Sequence, residues 1–507
     1  MWRSTEADSL QGRTGSESLT SGDLTRLKTL LARGTAVLVG RQLILRVLGF
    51  VGSVILARIL APAEFGIFAV AAFVVSFFSM VGNVGLGAAL IQRKDEIGED
   101  DIQTVFTIQQ GAFSVLFLFV FFLAPALGRF YPDLPPGSEW LVRALGLSLL
   151  ITSLRTVPTI ILERDLAYSK IAGIEVAEVL IYQFTAVALA ALGLGIWSLV
   201  WASILRALAG VAVIFHYVRW RPRLRVSVEK AKVLLKFGIP YQLNNFLGML
   251  TEAVVPSMVA AISGAAAVGY LNLAKNFSHL PIRVVTDSFG QAAYPAFAKI
   301  QDDKESLREF VVKSINMLSV VIVPVALFMA ALGPELIQTV YGSKWLPAVN
   351  AFYFYMAVTL AIPVILPLYV AIVALGKASI ILYMNLTLAV FQWGLCSILV
   401  WKLGFIGVPM AQPIITLLFL AIYCEILRRN DVKINFTDVR ISHMFTALFC
   451  FSSLLAVKSC FPVSILAVGL LFTAALTLYG ALLYIFSRRQ FVELLELAKM
   501  KLLGVSG

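Results

Sequence analysis

From residue 35 to residue 486 the chain alternates between long apolar runs and short polar or charged breaks. The runs fall near 35–60, 65–91, 104–128, 140–162, 173–193, 196–218, 235–262, 267–296, 312–333, 348–374, 379–401, 405–427, 443–459 and 462–486. Each is close to the ~20 residues that an α-helix needs to cross a bilayer, so the pattern predicts about fourteen spanning helices. The largest external loops, near 129–140 and 333–348, are of order fifteen residues, too short for a soluble catalytic domain. Two tails flank the bundle. Residues 1–34 are rich in Ser, Thr and Gly and then alternate basic and leucine positions over 24–33, which fits a short interfacial helix or a lead-in to the first span. In 487–507, Phe491, Leu494, Leu495, Ala498 and Leu502 share one helical face among basic residues, the pattern of a helix lying on a membrane surface.

The spans repeat. A shift of about 203 positions lays 254–292 on 51–89 without a gap, pairing Val51 with Val254, Ala57 with Ala260, Gly66 with Gly269, Ala71 with Ala274, Gly87 with Gly290 and Ala89 with Ala292. Two six-span halves follow, an N-lobe over 35–218 and a C-lobe over 235–427, joined by a basic linker at 219–234; spans 443–486 stand outside the repeat. Because six is even, both halves enter the membrane in the same sense, related by an axis along its normal.

Composition narrows the class. The 507 residues are 59% hydrophobic and 14% charged, which excludes an ordinary soluble domain. The net charge of +12 raises nucleic acid as a partner, but position argues otherwise. Lys and Arg crowd one set of loops, above all Arg219, Arg221, Arg223, Arg225, Lys230, Lys232 and Lys236; the opposite set holds only Arg58, Arg129, Arg143, Lys344, Lys402 and Lys458. That asymmetry predicts a cytoplasmic side bearing both termini, and no nucleic-acid partner. Cys396, Cys424, Cys450 and Cys460 sit in apolar runs, and the three histidines are scattered, so neither a disulfide framework nor a metal site is expected. No GxxxxGK[ST] loop occurs, and no nucleotide cofactor is expected.

The chemistry lies in polar residues placed inside spans, where an ionisable group costs several kcal/mol unless it faces protein or water. Residues 237–301 carry Gln242, Asn244, Asn245, Glu252, Asn272, Lys275, Asn276, His279, Arg283 and Asp287; the first half adds Arg41, Arg46, Arg155, Glu175, Glu178 and Arg206. Arg46, Arg206, Lys275 and Arg283 are candidates for a cationic, anion-binding cavity, since guanidinium groups hold phosphate bidentately. Of Arg41 and Arg46, which point more than 90° apart, Arg46 is assigned to the interior. Gln242, Asn244, Asn245, Asn272 and Asn276 are candidates for hydrogen bonds to sugar. Glu175, Glu178, Glu252 and Asp287 are candidates for ion coupling, with internal bridges as the alternative: Glu175 or Glu178 to Arg155 or Arg206, Lys275 to Glu252, Arg283 to Asp287.

The stretches RILAPAEFGIFAVAAF (58–73), VGLGAALIQRKDEI (84–97), LERDLAYSKIAGIE (162–175), LGLGIWSLV (192–200), KFGIPYQLNNFLG (236–248), VGYLNLAKNF (268–277), YPAFAKIQDD (294–303) and YGSKWLPA (341–348) closely resemble the bacterial polysaccharide exporters, the Wzx-like flippases of the multidrug/oligosaccharidyl-lipid/polysaccharide superfamily. The resemblance implies an all-α membrane protein of two pseudo-symmetric six-helix lobes plus two extra helices, which open alternately to either side of a bacterial inner membrane. It implies no enzyme activity. The passenger would be a polyprenyl-diphosphate-linked oligosaccharide, with membrane lipids and polysaccharide polymerase or export machinery as partners. A drug exporter of the related family would carry mainly Asp and Glu in its cavity, and a glycan polymerase or ligase would need a sizeable external loop.

Overall fold

The computed structural model describes residues 44–83, 85–92, 98–130, 137–165, 167–253, 258–376 and 378–486. Both proposed surface helices, at 24–33 and 487–507, and Arg41 lie outside the described residues. Within them every regular element is helical. The chain builds α1 (44–59), α2 (Pro62–Gly82), α3 (Leu86–Gln92), α4 (Glu99–Phe130), α5 (Ser138–Ser153), α6 (Thr156–Arg164), α7 (Tyr168–Ala191) and α8 (Trp197–Tyr217) in its first part. There follow α9 (Val228–Glu252), α10 (Ala265–Lys299), α11 (Lys304–Ala331), α12 (Gly333–Val340), α13 (Val349–Ala374), α14 (Ala378–Leu403), α15 (Gly407–Arg429), α16 (Ser442–Lys458) and α17 (Ile465–Phe486).

Nine stretches among the described residues are long and apolar enough to cross a membrane, one of which, Tyr383–Arg429, covers most of α14 and all of α15. The expected fourteen spans are consistent with this. The start of α1 is not described, α9 and α10 carry the polar residues noted above, and α16 has only 17 residues. Several helix boundaries differ from the sequence reading, two of them for a reason visible in the chain. The fourth span breaks at Leu154–Arg155, because Pro158 has no N–H to offer the Leu154 carbonyl. Helix α9 begins at Val228, inside the stretch read as linker, because Ala231 and Leu234 lie on one face and are buried.

Both lobes are assembled alike. In the first, α2 packs on α5, α4 on α5, α5 on α8, and α7 on α8; in the second the repeat-equivalent helices pair in the same way, α10 on α13, α11 on α13, α13 on α15, and α14 on α15. The pseudo-symmetry read from one 39-residue match in the sequence thus extends to helices that share no obvious letters. Helices α16 and α17 lean on the outside of the second lobe. Lys458 at the end of α16 donates to the Ala331 carbonyl at 2.8 Å and pairs with Glu335 at 3.1 Å, while Tyr479 on α17 donates to the Val320 carbonyl at 3.0 Å.

Candidate functional site

Helix α10 is 35 residues long and is preceded by Gly264, whose φ of 81° is open to glycine and strained for other residues. At 100° per residue, Asn272, Lys275, Asn276, His279 and Arg283 fall within an arc of about 100°. The neighbouring arc of Leu271, Ala274, Phe277 and Ile282 is buried. Asn276 and Arg283 are exposed and joined, Arg283 Nη2 donating to Asn276 Oδ1 at 3.2 Å; Asn272, Lys275 and His279 are half-buried, and the His279 ring lies 6.4 Å from Tyr355. The stripe begins about 10 Å and ends about 27 Å along the helix axis, within the depth of a bilayer. It is an accessible polar face on a helix whose other side is core.

Around this face the other candidates divide. Gln242 on α9 donates through Nε2 to the Met80 carbonyl of α2 at 2.7 Å, so it ties the two lobes together. Arg46 shares a face of α1 with Phe50, Val54 and Ala57, the residues through which α1 meets the core cluster of the second lobe. The side chains of Asn244, Asn245, Glu252 and Asp287 lie outside the described part of the structure.

Arg206 and Glu178 form a separate group inside the first lobe. Glu178 on α7 is 3% exposed; its Oε1 accepts from Arg155 Nη1 and its Oε2 lies 3.5 Å from Arg206 Nε. Gly210 on α8 makes room, since a Cβ there would run into the carboxylate. Arg155 stands at the break between α5 and α6, so one carboxylate gathers that break, α7 and α8. Glu175, one turn earlier on α7, is half-buried. Of the two readings open in the sequence, Glu178 takes the internal bridge to both arginines, and Arg206 has an acidic partner.

The lobes meet at both ends of α2. At the end carrying few Lys and Arg, a Cβ on Gly66 would collide with the Ala265 carbonyl, and a Cβ on Gly269 with the Pro62 carbonyl. These are repeat-equivalent pairs, offset by the same shift, so the crossing of α2 and α10 is reciprocal, as a two-fold axis between the lobes requires. Polar caps reinforce it. Lys344 Nζ donates to the carbonyls of Arg58 (2.9 Å) and Leu60 (2.6 Å), Trp345 Nε1 to that of Ala57 (2.9 Å), and Arg58 to those of Val340 (2.9 Å) and Thr339. At the opposite end Gly85, with φ of 71°, lies against the Gly238 carbonyl of α9. Sequence reasoning missed these caps, although a signal was present: Arg58 and Lys344 belong to the few cations on the sparsely charged side. Arg143 and Lys458, also on that short list, likewise donate to carbonyls, those of Phe121 and Ala331.

Two lobes assembled alike, in contact along α2, α9 and α10 and bearing a polar helix face at membrane depth, define a two-lobe, multi-span, all-α membrane protein. A family model described as "Polysaccharide biosynthesis protein" matches residues 55–350, more than half of the chain, and the chain belongs to that family. It is 28% identical over 306 residues to the lipopolysaccharide biosynthesis protein WzxC of Escherichia coli (59% of this chain, 60% of that one) and 29% identical over 308 residues to the succinoglycan biosynthesis transport protein ExoT of Rhizobium meliloti (59% and 60%). The chain thus matches about 60% of the length of these relatives. Among solved structures it resembles the lipid II flippase MurJ in an inward closed conformation, with a TM-score of 0.69 at 14% identity over 89% of this chain and 98% of that one. An inward-facing multidrug transporter of the MATE family gives 0.54 at 16% identity over 78% and 98%. At such identities the structural likeness establishes the fold, and the fold is the one that the resemblance implied.

Proposed function

We propose that this protein turns a polyprenyl-diphosphate-linked oligosaccharide from one leaflet of a bacterial inner membrane to the other, for assembly of a cell-surface polysaccharide. The observation that carries the reading is the polar face of α10: cations and amides share one arc of a membrane-depth helix and remain accessible. Lys275 and Arg283, with Arg46 from α1, would meet the diphosphate; Asn272, Asn276, Gln242, Asn244 and Asn245 would meet sugar. The lipid tail would stay in the apolar space flanking the lobes. The reciprocal α2–α10 crossing suits a rocking cycle, because one contact closes one end and its loss opens it. The named relatives WzxC and ExoT support the passenger class. The charge asymmetry supports cytoplasmic termini. Glu178 is engaged by two arginines, and Glu175, Glu252 and Asp287 are the other acidic candidates for coupling to an ion gradient. Polysaccharide polymerase or export machinery would receive the passenger. A drug exporter is disfavoured by Lys275 and Arg283 on the accessible face.

The test is complementation of a strain lacking the gene with Arg46→Ala, Lys275→Ala and Arg283→Ala. Each removes a charge-assisted contact of about 1.5–3 kcal/mol, at least a tenfold loss of passenger affinity, and surface polysaccharide is expected to fall. Wild-type surface polysaccharide from all three variants at normal protein amounts would refute the reading.

A further inference from the structure

The segment that joins the two lobes is clamped along its length. Residues 218–227 have no regular structure, yet the amides of Arg223, Arg225 and Ser227, every second residue, donate to Gln103 Oε1 (2.7 Å), Thr107 Oγ1 (3.0 Å) and Thr104 Oγ1 (3.1 Å) on α4. Gln103 Nε2 returns a bond to the Arg221 carbonyl at 3.1 Å. A two-residue period is that of extended chain, so successive side chains leave on opposite faces. Trp220 pins one end, its ring 5.3 Å from that of Phe106; Lys230 pins the other, 3.1 Å from Asp101.

Clamping the backbone fixes a row of cations. Arg219, Arg221 and Arg223 are exposed and have no carboxylate partner among the described residues; Arg225 stands 3.9 Å from Asp100. The alternate positions Pro222, Leu224 and Val226 are exposed as well, so the strap presents arginines on one face and apolar groups on the other. Like charges held on one face repel, and an external anion relieves that repulsion. Trp220, in the same register as those apolar groups, packs into the apolar cluster of Leu90, Val157 and Ile160, so the arginines face away from that cluster. A fixed row of outward cations flanked by exposed apolar groups fits a ligand that is anionic at one end and hydrocarbon at the other.

We propose that the strap binds an anionic phospholipid of the membrane, its phosphate on Arg219, Arg221 and Arg223 and its acyl chains in the bilayer. The site lies in the first lobe and its linker, apart from the α10 face, and requires only that the protein sits in a membrane. Each arginine near an anionic lipid surface is worth about a fivefold gain in affinity, so three give about 100-fold.

The test uses the full-length protein in a neutral detergent, with bound lipid read by native mass spectrometry and by the rise in unfolding temperature on titration with dioleoylphosphatidylglycerol, dioleoylphosphatidylcholine or inorganic phosphate. Of the three, wild type is expected to retain and be stabilised by dioleoylphosphatidylglycerol alone. The variant Arg219→Gln/Arg221→Gln/Arg223→Gln is expected to need about 100-fold more of it. The variant Gln103→Ala/Thr107→Ala, which keeps the charges and frees the strap, is expected to lose part of that affinity. Equal stabilisation by the choline lipid or by phosphate, or unchanged affinity in the triple arginine variant, would overturn the proposal. Undiminished affinity in the freed-strap variant would also overturn it, since the site would then not be a built one.

Discussion

Alanine at Gly66 should loosen the lobes at the end where α2 crosses α10. The added Cβ would sit closer than 3.0 Å to the Ala265 carbonyl, and what it meets is backbone, which has no alternative rotamer. The helices must therefore separate. Overpacking of this kind costs about 1–3 kcal/mol, which lowers the ratio of closed to open molecules by about 5–150-fold. Gly269→Ala should act in the same direction through Pro62. The double variant should cost less than the sum of the two, because a Cβ on Gly269 would also lie 3.4 Å from the Gly66 amide nitrogen and the two sites share one gap. The reporter is Val70→Cys on α2, 3% exposed and packed in the core cluster of the second lobe, in a background with the four native cysteines replaced. Its rate of labelling by a membrane-impermeant maleimide follows the open population, so each single variant should label about 5–150-fold faster, with a less-than-additive double. If both single variants label at the wild-type rate at unchanged protein amounts, the crossing does not gate that end.

Two further substitutions examine what holds the lobes. Glu178→Gln removes the carboxylate that Arg155 and Arg206 share and is expected to cost about 3 kcal/mol, seen as a lower unfolding temperature. Arg155→Gln should cost more than Arg206→Gln, because the Arg155 side chain is 25% exposed and that of Arg206 48%; the reverse order would contradict the arrangement. At the start of α11, Asp303 accepts from the Ser306 hydroxyl and from the Ser306 and Glu305 amides, and these bonds hold its carboxyl below the usual range. A depressed folded-state value adds stability that is complete above the unfolded value of 3.8 and is lost as pH falls through the lower folded one. The gap in unfolding temperature between wild type and Asp303→Ala should accordingly hold at neutral pH and shrink below about pH 3.8, and a gap independent of pH would show the cap to be idle.

Several features follow from the letters alone because they are local properties of the chain. A run of apolar residues either is or is not long enough to span, a polar stripe on α10 follows from a 100° step, and a repeat is visible wherever equivalent letters survive, as Gly66 and Gly269 do. Tertiary structure alone decided the pairings, which depend on side chains from distant segments arriving at one place. Glu178 could have reached a coupling ion or either arginine, and folding brought both arginines to it across the break before α6. Arg58 and Lys344 are more than 280 residues apart and cap each other's helices only because the two lobes close upon one another. The linker between the lobes is basic on paper; that it is a clamped strap depends on Gln103, Thr104 and Thr107, more than 110 residues away, meeting its backbone.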